Sequence, residues 1–417
     1  MKWIVEKVLR NMVRSGRLTI VYHDGSTRVF GPGGDNRPQF TVRMHDRGVP
    51  WAIVSDPRLG LAEAFMDGRI DIEGGDIMDF LAFMRHDHPW EWTGSRAPKE
   101  TKRNPIAKRA LRLGDLVIKV NDRRRARANA AHHYDLSNAL YSLFLDRDMQ
   151  YSCAYWPDIE NSIGIDLDRA QEDKRNHIAA KLRLSPGQRV LDIGCGWGGL
   201  ALDLHRQFGV DVLGITLSTE QLKVAQARAI EAGVQDHVKF ELRDFRDVEG
   251  SFDRIVSVGM FEHVGVEQYS EFFRMCHNLL TPHGVMLLHT IGRMGVPTRT
   301  DAFTGKYIFP GCYVPSLSEI VTASEQNKLM VADIETLRLH YALTLREWYR
   351  RTVAHRSEIV AIYDERFFRM WTFYLAVSTA AFETGGLVNF QIQYIRNRRA
   401  LPITRDYMMA EAPPKAL

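Results

Sequence analysis

"VLDIGCGWGG" (190–199) runs from an apolar strand pattern through Asp192 into glycines at 194, 196, 198 and 199. Glycines at that spacing let the backbone come close to a nucleotide-like ligand where a strand opens into a helix. The missing GK[ST] ending excludes a phosphate-cradling P-loop. A second chemical signal is "FEHVG" (261–265), in which Glu262 and His263 follow the apolar run "RIVSVG". A carboxylate at a strand end in a ligand-binding sheet is placed to orient a polar group or to handle a proton. Read alone, it is equally a carboxylate at a helix N-terminus, which is favourable by itself. His263 reads as structural or supporting.

The next strand, "VDVLGITLSTEQ" (210–221), separates the nucleotide classes. A dinucleotide site usually carries an acid at the tip of that strand, about 20 residues after the glycines. Here Asp211 stands at its beginning, and Thr216, Leu217 and Ser218 occupy the tip, which weakens the NAD reading. Gln221 reaches the ribose or amino-acid portion of a ligand, or forms a capping box with Ser218 for the following helix. His132, His133 and Asp135 of "HHYD" make a polar patch with no spaced partner, so no metal site is expected.

These residues need a scaffold, and periodicity indicates one. From about residue 165, helix 167–183, strand "RVLDIG", a helix from near Gly199, strand "VDVLGITL" and helix 219–232 follow in turn. Strands "VKFELRD" and "FDRIVSVG", helix 267–280 and strand "GVMLLHTI" complete the rhythm. It predicts an α/β fold with a mostly parallel sheet covered by helices. Helix 267–280 places Tyr269, Phe272, Phe273, Cys276, Leu279 and Leu280 on one stripe, which makes Cys276 core. Residues 292–316 read as irregular, and 318–398 as mainly helical and rich in aromatics. Gly385 and Gly386 interrupt that helical pattern at a cost of about 1 kcal/mol each relative to alanine. Upstream, a helix over about 2–14, strands "LTIVYH", "TRVF" and "FTVRMH", a turn at Asp24–Gly25 and the helical "DIMDFLAFMRH" make a small α+β domain over residues 1–95. A basic linker spans 96–128, the ligand-binding domain 129–405 and a tail 406–417.

A chain of 417 residues is too long for one small core, so two domains are the natural expectation. The cysteines at 153, 195, 276 and 312 include no CxxC pair, which argues against a disulfide scaffold or structural zinc and fits a reducing cytoplasm. "MKWIVEKVLRNMVRSG" has no uninterrupted apolar core and no small-residue cleavage site, so it does not read as a signal peptide. No stretch reaches the ~18 apolar residues of a membrane span. A cytoplasmic protein that touches a membrane surface is expected. The docking candidates are the amphipathic first helix and the stretch from Lys99 to Arg127, dense in Lys and Arg with only Glu100, Asp115 and Asp122 against them. A solvated linker would have the same composition.

Six ordered motifs carry a resemblance. "HHYDLSNALYSLFLDRDMQYSCAYW" (132–156), "VLDIGCGWGG", "GITLSTEQ" (214–221), "DRIVSVGMFEHVG" (253–265), "LLHTIG" (287–292) and "VNFQIQ" (388–393) resemble the cyclopropane-fatty-acyl-phospholipid synthases and their mycolic-acid relatives. These belong to the class I S-adenosylmethionine (SAM) methyltransferases. The likeness covers most of residues 50–405. "LGLAEAFMDGRIDIEG" is similar to the extra lipid-binding-type domain of the bacterial phospholipid enzymes, which mycolic-acid relatives lack. The resemblance implies a SAM-dependent, Rossmann-like sheet with a helical lid and extension, preceded by that small α+β domain. It implies cofactor contacts at Tyr134 and Ser137 of "YDLS", at Asp192, Gly194 and Gly196, at Thr216 and Gln221, and at Asp244, beside the adenine.

The implied reaction methylates the cis double bond of an acyl chain in a membrane phospholipid. An alkene is a feeble nucleophile, and its methylation leaves a cation that needs a dry site with aromatic faces. A base must then take a proton from the delivered methyl so that a ring can close. In the family a bound bicarbonate is that base, and its cradle maps onto Cys153, Glu262, His289, Ile291 (through its backbone) and Tyr341. Alone, Cys153 reads as a small buried hydrophobe and Tyr341 is unremarkable; the case rests on five positions agreeing with one arrangement. The resemblance also implies an acyl tunnel lined from 365–390 and 292–316, with "KYIFPGCYVPS" as a lid that Gly311 allows to move. A phospholipid bilayer met at the inner face of the membrane and a homodimer complete the implied partners. One rival is a methyl- or methylene-branched product from the same site. Another is a silent lipid-binding scaffold, in which degenerate glycines would be expected. Nucleic acid is not expected as substrate, because "GMFEHVG" stands where an N/D-P-P-Y/F motif would follow the fourth strand.

Overall fold

The structure, a computed structural model, describes residues 2–34, 37–92, 137–157, 166–298 and 300–408. Tyr134, the "HHYD" patch and the basic stretch 99–127 lie outside the described residues. The chain divides into two compact units. One comprises Met1–Lys102, Asp301–Ile308 and Leu345–Gly386; the other comprises Arg103–Thr300, Phe309–Thr344 and Leu387–Leu417.

In the first unit β1 (Arg17–Val21), β2 (Thr27–Phe30), β3 (Gln39–Met44) and β4 (Ile70–Glu73) form a sheet in the order β2-β1-β3-β4. The Asp24–Gly25 turn closes the β1–β2 hairpin, with the Gly25 amide donating to the Tyr22 carbonyl. Phe40, Val42 and Met44 of β3 are buried while their neighbours are not, as period-two alternation predicts. Phe40 packs on Phe80 and Phe83 of the helix Ile77–His86, whose N-terminus Asp76 and Asp79 close as a capping box. The helix Glu365–Glu383 packs on that helix and on Gly60–Met66, with Phe373 5.9 Å from Phe65 between ring centroids. Arg369 adds hydrogen bonds to the Phe65 and Ile70 carbonyls. Gly385 and Gly386 do not interrupt a helix, since the helix has already ended at Glu383.

In the second unit seven strands take the order β10-β11-β9-β8-β5-β6-β7. They are β5 (Arg189–Ile193), β6 (Asp211–Thr216), β7 (Val238–Leu242), β8 (Phe252–Val258), β9 (Leu280–Arg293), β10 (Met330–Leu337) and β11 (Leu387–Ile395). β5 to β9 pair in parallel, and β11 runs antiparallel to both β9 and β10. The helix Tyr269–Leu279 buries Tyr269, Phe272, Phe273, Cys276 and Leu279, the stripe its spacing predicts. The strand order reverses between β5 and β8, so their carboxyl ends open a crevice suited to a ligand.

Residues 318–398 contain two strands, β10 and β11, among their helices. β11 hides from a sequence reading because Asn389, Gln391 and Gln393 are as buried as Val388, Phe390 and Ile392. A strand covered on both faces shows no alternation, and its polar residues break the apolar run that would replace it.

Candidate active site

At the carboxyl ends of β5 to β8 lies a cleft of about 1340 Å³, part of it open to solvent. Asp192–Trp197 after β5, Thr216–Ser218 and Gln221 after β6, Arg243–Arg246 after β7, and Val258–Met260 with His263 after β8 form its walls. Met149–Ser152, Pro310 and Gly311 add to them. Gly196 has φ +55°, and a methyl group placed on it would meet no protein atom within 4 Å. Its bare backbone is therefore kept for the cleft and not for packing. Gly194, at φ +86°, leaves room for Met260, which a Cβ there would approach to 2.8 Å.

Asp192 is 1% exposed, and burial raises its carboxyl to about 7 against the pull of Lys174. Its Oδ2 has no hydrogen-bond partner among the described residues. Burial likewise lowers Lys174 to about 7; its Nζ donates to Gln150 Oε1 at 2.7 Å and Ser152 Oγ at 2.8 Å, bracing that wall. The Thr216 hydroxyl donates to Gln221 Oε1 at 3.0 Å and accepts from the Ser218 amide at 3.1 Å. Ser218 caps the helix Thr219–Glu231 through the Gln221 amide, yet the Gln221 side chain turns to Thr216, so only half of the capping box forms. Asp244 lines the cleft with its carboxylate gripped by Arg246 at 2.8 and 2.7 Å. Ser137 is not on the cleft wall; it caps the helix Asn138–Phe144, accepting from the Leu140 amide at 3.3 Å. His263 does line the cleft, edge-on to Phe309 at 5.6 Å, and burial lowers its imidazole to about 4.

A second group gathers at the ends of β8 and β9. Glu262 stands in the short turn Phe261–His263 after β8, and its Oε1 accepts from the Ile291 amide at 2.5 Å. That amide is thereby committed to Glu262. Burial raises the Glu262 carboxyl to about 7, opposed by hydrogen bonds from the backbone and Thr290. His289, two residues before Ile291 on β9, points to the same sheet face as Ile291. Burial drives its imidazole well below the usual range, so the ring is neutral. Glu262 Oε2 and His289 Nε2 are both buried without a hydrogen-bond partner among the described residues.

Cys153 is fully buried, and burial raises its thiol so that it stays protonated. The next residue, Ala154, donates its amide to Thr344 Oγ1 at 3.1 Å, and Trp156 Nε1 reaches the same hydroxyl at 3.2 Å. Thr344 lies one turn after Tyr341 on the helix that begins at His340, so the Cys153 segment is bonded to the turn bearing Tyr341. Tyr341 is itself buried.

A family described as mycolic acid cyclopropane synthetase matches residues 121–392, and a domain of unknown function matches residues 4–87. The chain belongs to the mycolic acid cyclopropane synthetase family. This family member is 40% identical over 345 residues to the cyclopropane-fatty-acyl-phospholipid synthase of Escherichia coli strain K12, spanning 82% of this chain and 85% of that one. It is 35% identical to a probable fatty acid methyltransferase of Pseudomonas putida over 92% of this chain and 94% of that one. The solved mycolic acid cyclopropane synthase CmaA1, complexed with SAH and CTAB, matches at a TM-score of 0.60 and 32% identity, over 66% of this chain and 98% of that one. Family and fold agree with the resemblance carried by the six motifs: the protein is a SAM-dependent C-methyltransferase with a Rossmann-like sheet.

Proposed function

We propose that the enzyme transfers the methyl carbon of SAM to the cis double bond of an unsaturated acyl chain in a membrane phospholipid and closes a cyclopropane ring, with bicarbonate beside Glu262 and His289 as the base. The observation that carries this reading is the pair of buried, unpartnered atoms Glu262 Oε2 and His289 Nε2. Leaving such atoms open costs about 1–3 kcal/mol each, so a ligand that satisfies both is favoured. A carboxylate oxygen accepts and an imidazole N–H donates. Bicarbonate, with one O–H and further acceptor oxygens, complements that pair and would supply the proton acceptor.

SAM, when bound, supplies the electrophilic methyl. In the chain itself, Gly196 gives it close approach, while Asp192, Thr216 and Gln221 are the polar groups positioned to hold it. The transfer forms one carbon–carbon bond, breaks the methyl–sulfur bond and leaves a cation on the former alkene. Loss of one proton from the delivered methyl closes the ring. Burial of Cys153, Glu262, His289 and Tyr341 keeps water from competing for that cation. Exposed Trp3 and Val8 beside Lys2, Lys7 and Arg10 on the first helix support action at a lipid surface. A homodimer at the cytoplasmic face of the membrane belongs to the same proposal.

The test supplies vesicles of cis-unsaturated phospholipid and SAM with a trideuterated methyl, followed by mass spectrometry of the fatty acids. Ring closure leaves two of the three deuterons in a product without a double bond. Retention of all three identifies a methyl branch, the second reading, which the likeness to the Pseudomonas putida fatty acid methyltransferase favours. Unlabelled lipid overturns both.

A further inference from the structure

Three polar side chains stand in register across β10, β11 and β9. Gln391 is paired with His289 on one side and with Glu335 on the other. Residues opposed in this way project from the same sheet face. The helix Leu167–Leu182 brings His177 and Lys181, one turn apart, onto that row. Lys181 Nζ bonds to Glu335 Oε2 and donates to Gln391 Oε1 at 2.7 Å. His177 Nε2 meets the same Glu335 oxygen at 2.6 Å. Gln393 donates to the Lys181 carbonyl, which ties the end of the helix to β11. Gln391 Nε2 then lies 3.1 Å from His289 Nδ1.

The donor and acceptor inventory fixes the protons along this row. Glu335 is ionised: burial raises its carboxyl, but His177 and Lys181 outweigh that and hold it at about 2. Burial lowers the Lys181 ammonium, and the Glu335 charge beside it opposes that shift. An ammonium has no acceptor, so the Gln391 atom facing it is the amide oxygen, and the other end of the amide is the NH2 group. That group only donates. His289 Nδ1 must therefore present its lone pair, and a neutral imidazole with a bare Nδ1 carries its proton on Nε2.

We propose that Lys181 and Gln391 are positioning residues that lock His289 as its Nε2–H tautomer, so that its buried nitrogen without a partner among the described residues is a donor. A half-buried ion pair and two buried amides under a helix are weak grounds for stability, since such pairs contribute little and apolar side chains of similar volume pack there as well or better. Orienting one imidazole is a reason for them that packing does not supply. The opposite tautomer would aim a lone pair where the proposed anion sits, and the cradle would repel what it should hold. Only this last consequence rests on the bicarbonate reading; the tautomer does not.

The test is nitrogen NMR of the ligand-free protein labelled at histidine, with the His289 signals assigned by their loss in His289→Gln. Wild type is expected to show a protonated Nε2 and a bare Nδ1. In Gln391→Glu, whose carboxylate accepts from Nδ1–H, the proton moves to Nδ1. In Gln391→Met, which neither donates nor accepts strongly, both tautomers are populated. In the glutamate variant the bicarbonate concentration for half-maximal turnover rises at least tenfold, while SAH affinity in calorimetry is unchanged. A wild-type Nδ1–H, or an unaltered Nε2–H in both variants, overturns the inference. If the tautomers behave as stated but wild-type turnover is indifferent to bicarbonate in carbonate-free buffer, the lock stands and the anion reading falls.

Discussion

Glu262 ties the chemistry of the site to the stability of the ligand-free protein. With its carboxyl raised from 4.5 to about 7, the native state holds this proton more tightly than the unfolded chain. The resulting stability is fully present below about pH 4.5 and is lost as pH rises through about 7. Glu262→Gln abolishes the titration and keeps an oxygen for the Ile291 amide. In urea unfolding of the ligand-free proteins, the variant gains on wild type by about 2–3 kcal/mol between pH 5 and pH 8. Its turnover falls by roughly tenfold to a hundredfold, the usual loss when an orienting group is removed. A stability gap that does not change with pH would mean the carboxyl is already ionised and satisfied. Gly196→Ala separates strain from function in the same way. Gly196 and Gly187 both lie at positive φ with no atom near the missing Cβ, but only Gly196 lines the cleft. Each substitution costs about 1–2 kcal/mol in unfolding free energy. Only Gly196→Ala weakens SAH binding, by at least about tenfold in calorimetry, because its methyl enters the ligand's space. Equal affinities would remove the loop from the cofactor site.

The helix Lys2–Met12 buries Val5 and leaves Trp3, Ile4 and Val8 exposed, with Lys7 over the Trp3 ring at 5.3 Å. An apolar patch flanked by cations suits a lipid headgroup region. Trp3→Ser is expected to lower co-sedimentation with anionic vesicles roughly tenfold, since burying such a side chain is worth about 1.5–3 kcal/mol. Its melting temperature should not move, because Trp3 is 68% exposed. Unchanged vesicle binding would place the docking surface elsewhere. How far each element was legible in the sequence follows from where its signal resides. The glycine loop and the strands from β5 to β9 write their signal locally, in apolar runs and turn residues. Glu262 was visible because it immediately follows such a run. β11 was not, since buried Asn389, Gln391 and Gln393 break its periodicity. Lys181 acquires meaning only once it meets Gln391 of β11, a relation between segments 210 residues apart in sequence. The bond from Ala154 to Thr344 is equally non-local, at 190 residues. Gln221 was ambiguous in the sequence because both of its roles are encoded there, and the structure gives its amide to the helix cap and its side chain to Thr216.

At the scale of the whole molecule, the first unit draws on three separate stretches of chain. Its helix Glu365–Glu383 buries Phe368, Trp371, Phe373, Tyr374 and Phe382, and takes part of that cover from Phe65 and from the helix Ile77–His86. A chain lacking residues 1–92 should therefore bind an apolar dye and aggregate at concentrations where the full chain is monodisperse in light scattering. A soluble, dye-silent truncation would show that the late helix is covered without the early segment. The same interleaving bears on how the protein is made. Met66 and Glu365 are 299 positions apart. At ~5–20 residues per second, roughly 15–60 s of translation separates them. For most of that interval the apolar faces around Phe65 and Phe80 have left the ribosome while their partner helix does not yet exist. The nascent chain is thus a natural client for chaperones that shield early segments, and the first unit can be completed only after its last stretch, Leu345–Gly386, has been made.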